Sequence, residues 1–237
     1  EPSAGNGAFS NIIFEYFNNT KFYDILPDTD MIDEKDFLDL DMKDILENFK
    51  QVYEKIHILG NPPFGRQSSL AKQFIKRCCK YAYSIGFILP KSFKKESFKK
   101  VFDLAFHLIF EMEIEKTAFV LGNTEEEYDV PCIFQIWIRK EYKRTIDKLI
   151  TSNGFKFVKR CENPDFSLRR VGVYAGTIYK EIKDSEQSHL YIKIDDLYDK
   201  DDFFKLYNEK IHFEHNNTVG PKSISKQEYI KKINELF

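Results

Sequence analysis

Several features are scarce in this 237-residue chain, and each absence narrows what it is. No apolar run reaches the roughly 18 residues that a membrane-spanning helix needs, so no membrane partner is expected. No basic-then-apolar leader opens the chain, so a cytoplasmic or nucleoid-associated location is expected, not secretion. Cysteine is limited to Cys78, Cys79, Cys132 and Cys161, with no C-x-x-C and no histidine spacing that completes a zinc site. Reduced thiols and no metal are therefore expected. Internal repeats and low-complexity tracts are missing as well. What is plentiful is core material, 42% hydrophobic and 16% aromatic residues, which argues against disorder.

An excess of one charge is also missing, since 36 basic side chains face 38 acidic ones. The balance hides a segregation. Residues 1–59 carry 5 basic and 13 acidic side chains, residues 66–100 carry 10 and 1, and residues 101–138 carry 1 and 8. Residues 139–183 return to 12 and 5, and residues 184–237 to 8 and 11. A polyanion is attracted to the second and fourth blocks, although solvated lysine-rich helix faces give the same pattern.

Periodicity divides the chain into alternating elements. Helical spacing covers Phe9 to Phe17, Met42 to Tyr53, Ser68 to Ala82 and a basic stretch from Ser92 to Leu104. Short apolar strands are predicted at Lys21–Leu26, Lys55–Gly60, Ser84–Leu89, His107–Glu115 and Val130–Arg139. This alternation predicts an α/β fold on a mostly parallel sheet, with an antiparallel last strand because no helix joins the final pair. Past about residue 140 it weakens, so residues 1–140 form one expected domain and 141–237 a small α+β region. In that region a helix is predicted over Thr145–Ser152, strands over Lys156–Lys159, Val171–Tyr174 and Tyr191–Ile194, and a last helix over Ser225–Leu236. The chain opens at Glu1-Pro2-Ser3, in the middle of what reads as a motif, so further native residues are expected upstream.

Four short patterns carry chemistry. In Glu1-Pro2-Ser3-Ala4-Gly5-Asn6-Gly7, two glycines between an expected strand and a helix let the backbone approach a ligand. No Lys-Ser/Thr follows, which excludes a P-loop, and the Glu1 carboxylate suits a cation such as the ammonium of S-adenosylmethionine. Asp24 ends the next strand, where an acidic residue of nucleotide-binding folds accepts ribose hydroxyls; Asp28 and Asp30 compete for that role. Asp36-Phe37 can offer a carboxylate to an adenine amino group and a ring to its face.

Asn61-Pro62-Pro63-Phe64 follows an apolar strand and so falls at the sheet edge where ligands bind. An adenine amino group is a poor nucleophile because its lone pair is delocalised into the ring. The Asn61 side-chain oxygen and the Pro62 carbonyl can draw its two N–H bonds out of the ring plane and free that lone pair. The prolines keep the carbonyl aimed, and Phe64 offers a face to a base taken out of the stack. A proline-rich turn after a strand is the bland counterpart of the same four residues.

Taken in order, Glu-Pro-Ser-Ala-Gly-x-Gly, an acidic strand end, Asp-Phe-Leu and Asn-Pro-Pro-Phe resemble the γ-type adenine-N6 DNA methyltransferases over residues 1 to about 139. The resemblance implies a Rossmann-like class I methyltransferase sheet and S-adenosyl-L-methionine as cofactor. Carried over by motif, Glu1, Gly5 and Gly7 hold the methionine part, Asp24 the ribose, and Asp36 and Phe37 the adenine. Asn61, Pro62 and Phe64 form the target-base site, and Phe119 falls where the family places a second aromatic. Two departures stand out: the helix that usually precedes the first strand is not in this chain, and Phe64 replaces the commoner tyrosine.

Arg66, Lys72, Lys91, Lys94 and Lys95 follow strand ends on the expected catalytic edge and are candidate phosphate contacts. Arg169-Arg170-Val171-Gly172-Val173-Tyr174 is the best candidate for nucleic-acid contact in the C-terminal region, with an edge strand bearing solvated arginines as the plain alternative. The expected function is methylation of adenine N6 in DNA, as in restriction-modification. The same tetrapeptide chemistry serves RNA, and a similar one serves protein glutamine, which the basic blocks disfavour. A catalytically silent nucleic-acid-binding or partner subunit is the alternative from another class.

Overall fold

The apolar spacing of residues 69–81 shows how the sequence builds its first layer. Ala71, Phe74, Ile75, Cys78 and Cys79 recur at helical intervals and are buried, while the lysines between them face solvent. The structure is a computed structural model, and it describes residues 1–17, 19–41, 43, 55–115, 130–146, 149–213 and 222–237. The chain divides into two units, Glu1–Ile146 and Asp147–Phe237. The expected helix over Met42–Tyr53 lies almost wholly outside the described residues.

In the first unit, helix α1 (Ala8–Tyr16) starts at Gly7, whose φ of 80° only glycine adopts freely. Strand β1 (Tyr23–Asp24) pairs in parallel with β2 (Asp33–Glu34). The opening residues run along the other side of β1, where Tyr23 N donates to Glu1 O (2.9 Å) and Ala4 N to Tyr23 O (2.9 Å). Strand β3 (His57–Gly60), helix α2 (Ser69–Tyr81) and strand β4 (Ser84–Pro90) follow. Then come the single-turn helix α3 (Glu96–Lys99) and strands β5 (Phe106–Glu113) and β6 (Cys132–Arg139).

The four-stranded sheet has the order β3-β4-β6-β5. β3 and β4 are parallel, while β6 is antiparallel to both β4 and β5. The unit is thus α/β with mixed sheets, and the expectation of a mostly parallel sheet is corrected. The reason is topological: β6 returns between two strands that point the same way, so both of its ladders are antiparallel. Since β3, β4 and β5 share one direction, their carboxyl ends share one edge.

The core lies between α2 and this sheet, with Phe87, Leu89, Phe93, Phe106 and Ile133 fully buried. Each such side chain contributes about 1.5–3 kcal/mol through the apolar area it removes from water. Trp137 stacks on Phe102 at 4.1 Å, and its indole N–H donates to the buried Gln135 (3.0 Å). Arg144 ties down the stretch before β5 through the carbonyls of Lys99, Phe102, Asp103 and Phe106. The expected continuous helix Ser92–Leu104 is two pieces, because Lys95 is extended (ψ 137°). The break lets Phe93 and Phe102 each reach the core.

The second unit is an antiparallel sheet of β7 (Phe155–Val158), β8 (Phe166–Arg169), β9 (Ile178–Tyr179) and β10 (His189–Ile194), ordered β7-β10-β8-β9. Helices α4 (Lys200–Lys210) and α5 (Lys226–Ile233) carry the rest of its core, including Phe203, Tyr207, Tyr229 and Ile233. Ser225 and Glu228 form a capping box at α5. Helix α4 was not expected, although Asp199, which caps it through the amides of Asp201 and Asp202, is a visible start signal.

Two expectations fail in this region. The described residues of Thr145–Ser152 are not helical, because side chains of α5 and its end satisfy their backbone. Gln227 bonds both N and O of Ile150, and Asn234 donates to Thr151 O. Val171–Tyr174 is a turn, not a strand, since Gly172 and Gly176 hold φ of 89° and 104°. Cys78, Cys79 and Cys132 are buried free thiols, and Cys161 is an exposed one.

Candidate functional site

Two of the expected motifs meet at the carboxyl end of β3. An added Cβ at Gly60 would lie 3.2 Å from Glu1 Cγ, so the strand end rests directly against the Glu1 side chain. One residue on, Ser3 Oγ donates to the Asn61 carbonyl (3.2 Å). The glycine loop and the Asn-Pro-Pro-Phe segment are therefore adjacent although 54 or more positions apart in sequence.

The glycine loop is held at both ends. Ser10 Oγ, buried in α1, donates to Glu1 Oε2 (2.7 Å). Burial pushes the Glu1 carboxyl up in pKa, and the Ser10 hydrogen bond works against that shift. Gly5 N donates to Asp24 Oδ2 (2.8 Å), and Leu26 N to Asp24 Oδ1 (2.9 Å). One carboxylate thus joins the loop to the end of β1. An ionised carboxylate offers about four acceptor sites, so it keeps capacity for further donors. At Gly5 (φ 54°) a Cβ would meet nothing within 4 Å, so the backbone there is open to close approach by a ligand.

The Asn61–Phe64 segment leaves its acceptors unused. Asn61 Oδ1 is buried and accepts no hydrogen bond among the described residues. The carbonyl of Pro62, itself a buried residue, has no partner among them either. An unmatched buried amide oxygen costs about 1–3 kcal/mol, and native proteins carry few of them. Phe64 packs with Phe9, Ile88 and Val130 in a small cluster, and its carbonyl accepts from Leu70 N and Ala71 N at the start of α2. Gln67 and Ser68 just beyond are both left-handed (φ 53° and 59°), a conformation that costs non-glycine residues of order 1–3 kcal/mol and clusters at binding sites.

The other expected site residues are placed less uniformly. Asp36 is exposed, and its Oδ1 accepts from Leu38 N (2.8 Å) in a local turn. Phe37 is only 4% exposed and stacks on Phe74 (5.3 Å), with the Arg77 guanidinium 5.6 Å from its ring. The ring expected to cover an adenine is here packed inward against the apolar face of α2. Phe119 lies outside the described residues. Arg66 is exposed in the turn after Gly65. Lys91 and Lys94 both bind Glu113 (2.8 and 2.6 Å), which local sequence did not reveal because Glu113 lies some twenty residues on, at the end of β5. Those two hydrogen bonds hold the Glu113 carboxyl low, at about 2.

In the second unit, Arg169 is tied inward through Val171 O (2.8 Å) and Ser188 Oγ (3.1 Å). Arg170 has a buried Nε without a partner among the described residues. Sequence reasoning missed Ser10 and Ser3, whose polar contacts lock the loop to α1 and to Asn61; a serine one turn into the helix after a glycine loop is the signal that was available. Among the described residues no three His, Cys, Asp or Glu side chains gather as a metal site, and no helix is long and apolar enough to cross a membrane. Compared with described protein families, curated proteins and solved structures, this chain matches none.

Proposed function

We propose that this chain is an S-adenosylmethionine-dependent methyltransferase acting on the exocyclic N6 amino group of adenine in nucleic acid, with DNA as the favoured substrate. The observation that carries this reading is the buried, unmatched Asn61 Oδ1 on a proline-stiffened segment at the carboxyl end of β3. Two acceptors without donors, one amide oxygen and one neighbouring carbonyl, complement an amino group with two N–H bonds. The contact of this segment with the glycine loop puts a second ligand within reach of the first.

The residues fit the cofactor in part. The open backbone at Gly5, the acceptor capacity left on Asp24 and the carboxylate of Glu1 suit its polar groups. Two features support a methyltransferase sheet of Rossmann-like type: residues 1–4 run beside β1 with the Glu1 side chain against the end of β3, and the antiparallel β6 lies between the like-directed β4 and β5. When bound, S-adenosylmethionine supplies an electrophilic methyl group. Asn61 and Pro62 hold the amino N–H bonds out of the ring plane, which localises the nitrogen lone pair. Phe64 presents part of its ring, and no general base is required because the product ammonium loses its proton to water.

The test is methyl transfer by the full-length protein from labelled cofactor to separate DNA, RNA and protein pools. Label in DNA adenine is expected. Label in RNA alone overturns the DNA assignment, and no label in any pool with cofactor bound overturns the enzyme.

A further inference from the structure

The turn that joins β8 to β9 in the second unit is unusually well fixed for a loop with an apolar tip. At its base, Arg169 N donates to Thr177 O and Gly176 N to Arg169 O, each at 2.8 Å. Across it, Ala175 N donates to Gly172 O (3.0 Å), and Gly172 N reaches Lys222 O (2.8 Å). Two buried phenols brace it from beneath: Tyr207 donates to Gly176 O (2.8 Å) and Tyr229 to Arg169 O (2.6 Å). Burial pushes both phenols up, so they stay protonated donors at any physiological pH.

On this braced turn Val173 is 77% exposed and Tyr174 70% exposed, while their neighbour Ala175 is buried. One exposed apolar residue is ordinary, but a rigid adjacent pair is the form of a contact that is ordered before binding. The surroundings state the sign of the partner. Residues 166–180 contain Arg169, Arg170 and Lys180 and no carboxylate at all. The nearest acidic residues on either side, Asp165 and Glu181, are taken by Lys200 and Lys183. Arg170 finds no carboxylate among the described residues, and its buried Nε has no acceptor.

We propose that the Val171–Gly176 turn is a preformed base-contacting tip, in which Tyr174 and Val173 lie against a nucleic-acid base and Arg170 meets a neighbouring phosphate. This rests on the reading that the substrate is nucleic acid. A phenol ring stacks on any base face, and a branched apolar residue beside it excludes water from the contact. Arg170 supplies the charge-assisted bond to the backbone that fixes the register of the tip.

The test is binding of the full-length protein to a short labelled duplex and to its separated strand by fluorescence anisotropy over a salt series. Methyl transfer is measured in parallel. Tyr174→Ser is expected to weaken binding about ten- to a hundredfold without changing the salt slope, with recovery in Tyr174→Trp. Arg170→Gln is expected to lower the slope on duplex by about 0.9. Tyr174 is exposed on the turn and Arg170 is half-buried at its base, so circular dichroism checks that each variant folds. If Tyr174→Ser binds like the parent while the parent binds and methylates nucleic acid, the tip is overturned and the proposed function stands. If the parent neither binds nor methylates nucleic acid, both fall, and capture of a protein at the turn would explain its exposure.

Discussion

Asp24→Asn isolates what joins the glycine loop to the sheet. In the parent, one carboxylate accepts from Gly5 N at 2.8 Å and from Leu26 N at 2.9 Å. The amide that replaces it has a single accepting oxygen, so one of those N–H groups faces an NH2 instead. Leu26 is exposed, so its N–H can turn to water at little cost, and the retained oxygen then serves the half-buried Gly5. What is lost is the charge on the Gly5 bond and the whole Leu26 bond. Bonds to charged groups contribute about 1.5–3 kcal/mol and neutral ones about 0.5–1.5, so the net loss is about 1–2 kcal/mol. In a protein of this size that lowers the melting temperature by roughly 2–8 °C. The local readout is hydrogen exchange at the Gly5 amide, whose protection should fall more than that of Trp137, which lies deep in the four-stranded sheet. Cofactor affinity should fall as well, because binding must then order the loop. An Asp24→Asn protein with the parent's melting temperature and unchanged exchange at Gly5 would refute the reasoning.

Lys91 and Lys94 share Glu113, so Glu113→Gln should free both lysines and raise nucleic-acid affinity and salt slope together; unchanged binding would remove those lysines from the interface. The Glu113 carboxyl titrates lower in the folded protein (about 2) than unfolded (4.5), so its contribution is present above 4.5 and disappears as pH falls toward 2. An acid titration of stability should accordingly be shallower for Glu113→Gln over that window. Burial raises the thiols of Cys79 to about 11 and Cys132 to about 12, and that of Cys78 further, while Cys161 is exposed. Iodoacetamide at mildly alkaline pH should label Cys161 alone until the protein is unfolded, and early mass shifts on the other three would contradict their burial.

The elements legible in the sequence are those whose burial pattern is local. Helix α2 shows its buried face as Ala71, Phe74, Ile75 and Cys78, and β4 is a short apolar run ended by a proline. The elements misread are governed by distant partners. Residues 149–152 have helical periodicity, yet Gln227 and Asn234, some eighty positions away, satisfy their backbone in another form. The stretch Val171–Tyr174 has strand propensity, but the positive φ of Gly172 and Gly176 makes it a turn; two glycines four apart were the clue. At the candidate site, the meeting of the glycine loop with Asp24 on one side and with the Asn61 segment on the other follows motif order. The inward turn of Phe37 does not, because it depends on which face Phe74 and Arg77 present.

The central claim is that the Asn61 side-chain oxygen works on the amino group of an adenine. Its most direct test is single-turnover methyl transfer to an adenine-containing duplex by Asn61→Ala, with cofactor affinity measured alongside. The account predicts a rate about a hundred- to a thousandfold below the parent's with cofactor affinity retained, as for loss of one preorganised polar contact in a transition state. Transfer to adenine at the parent's rate would contradict it.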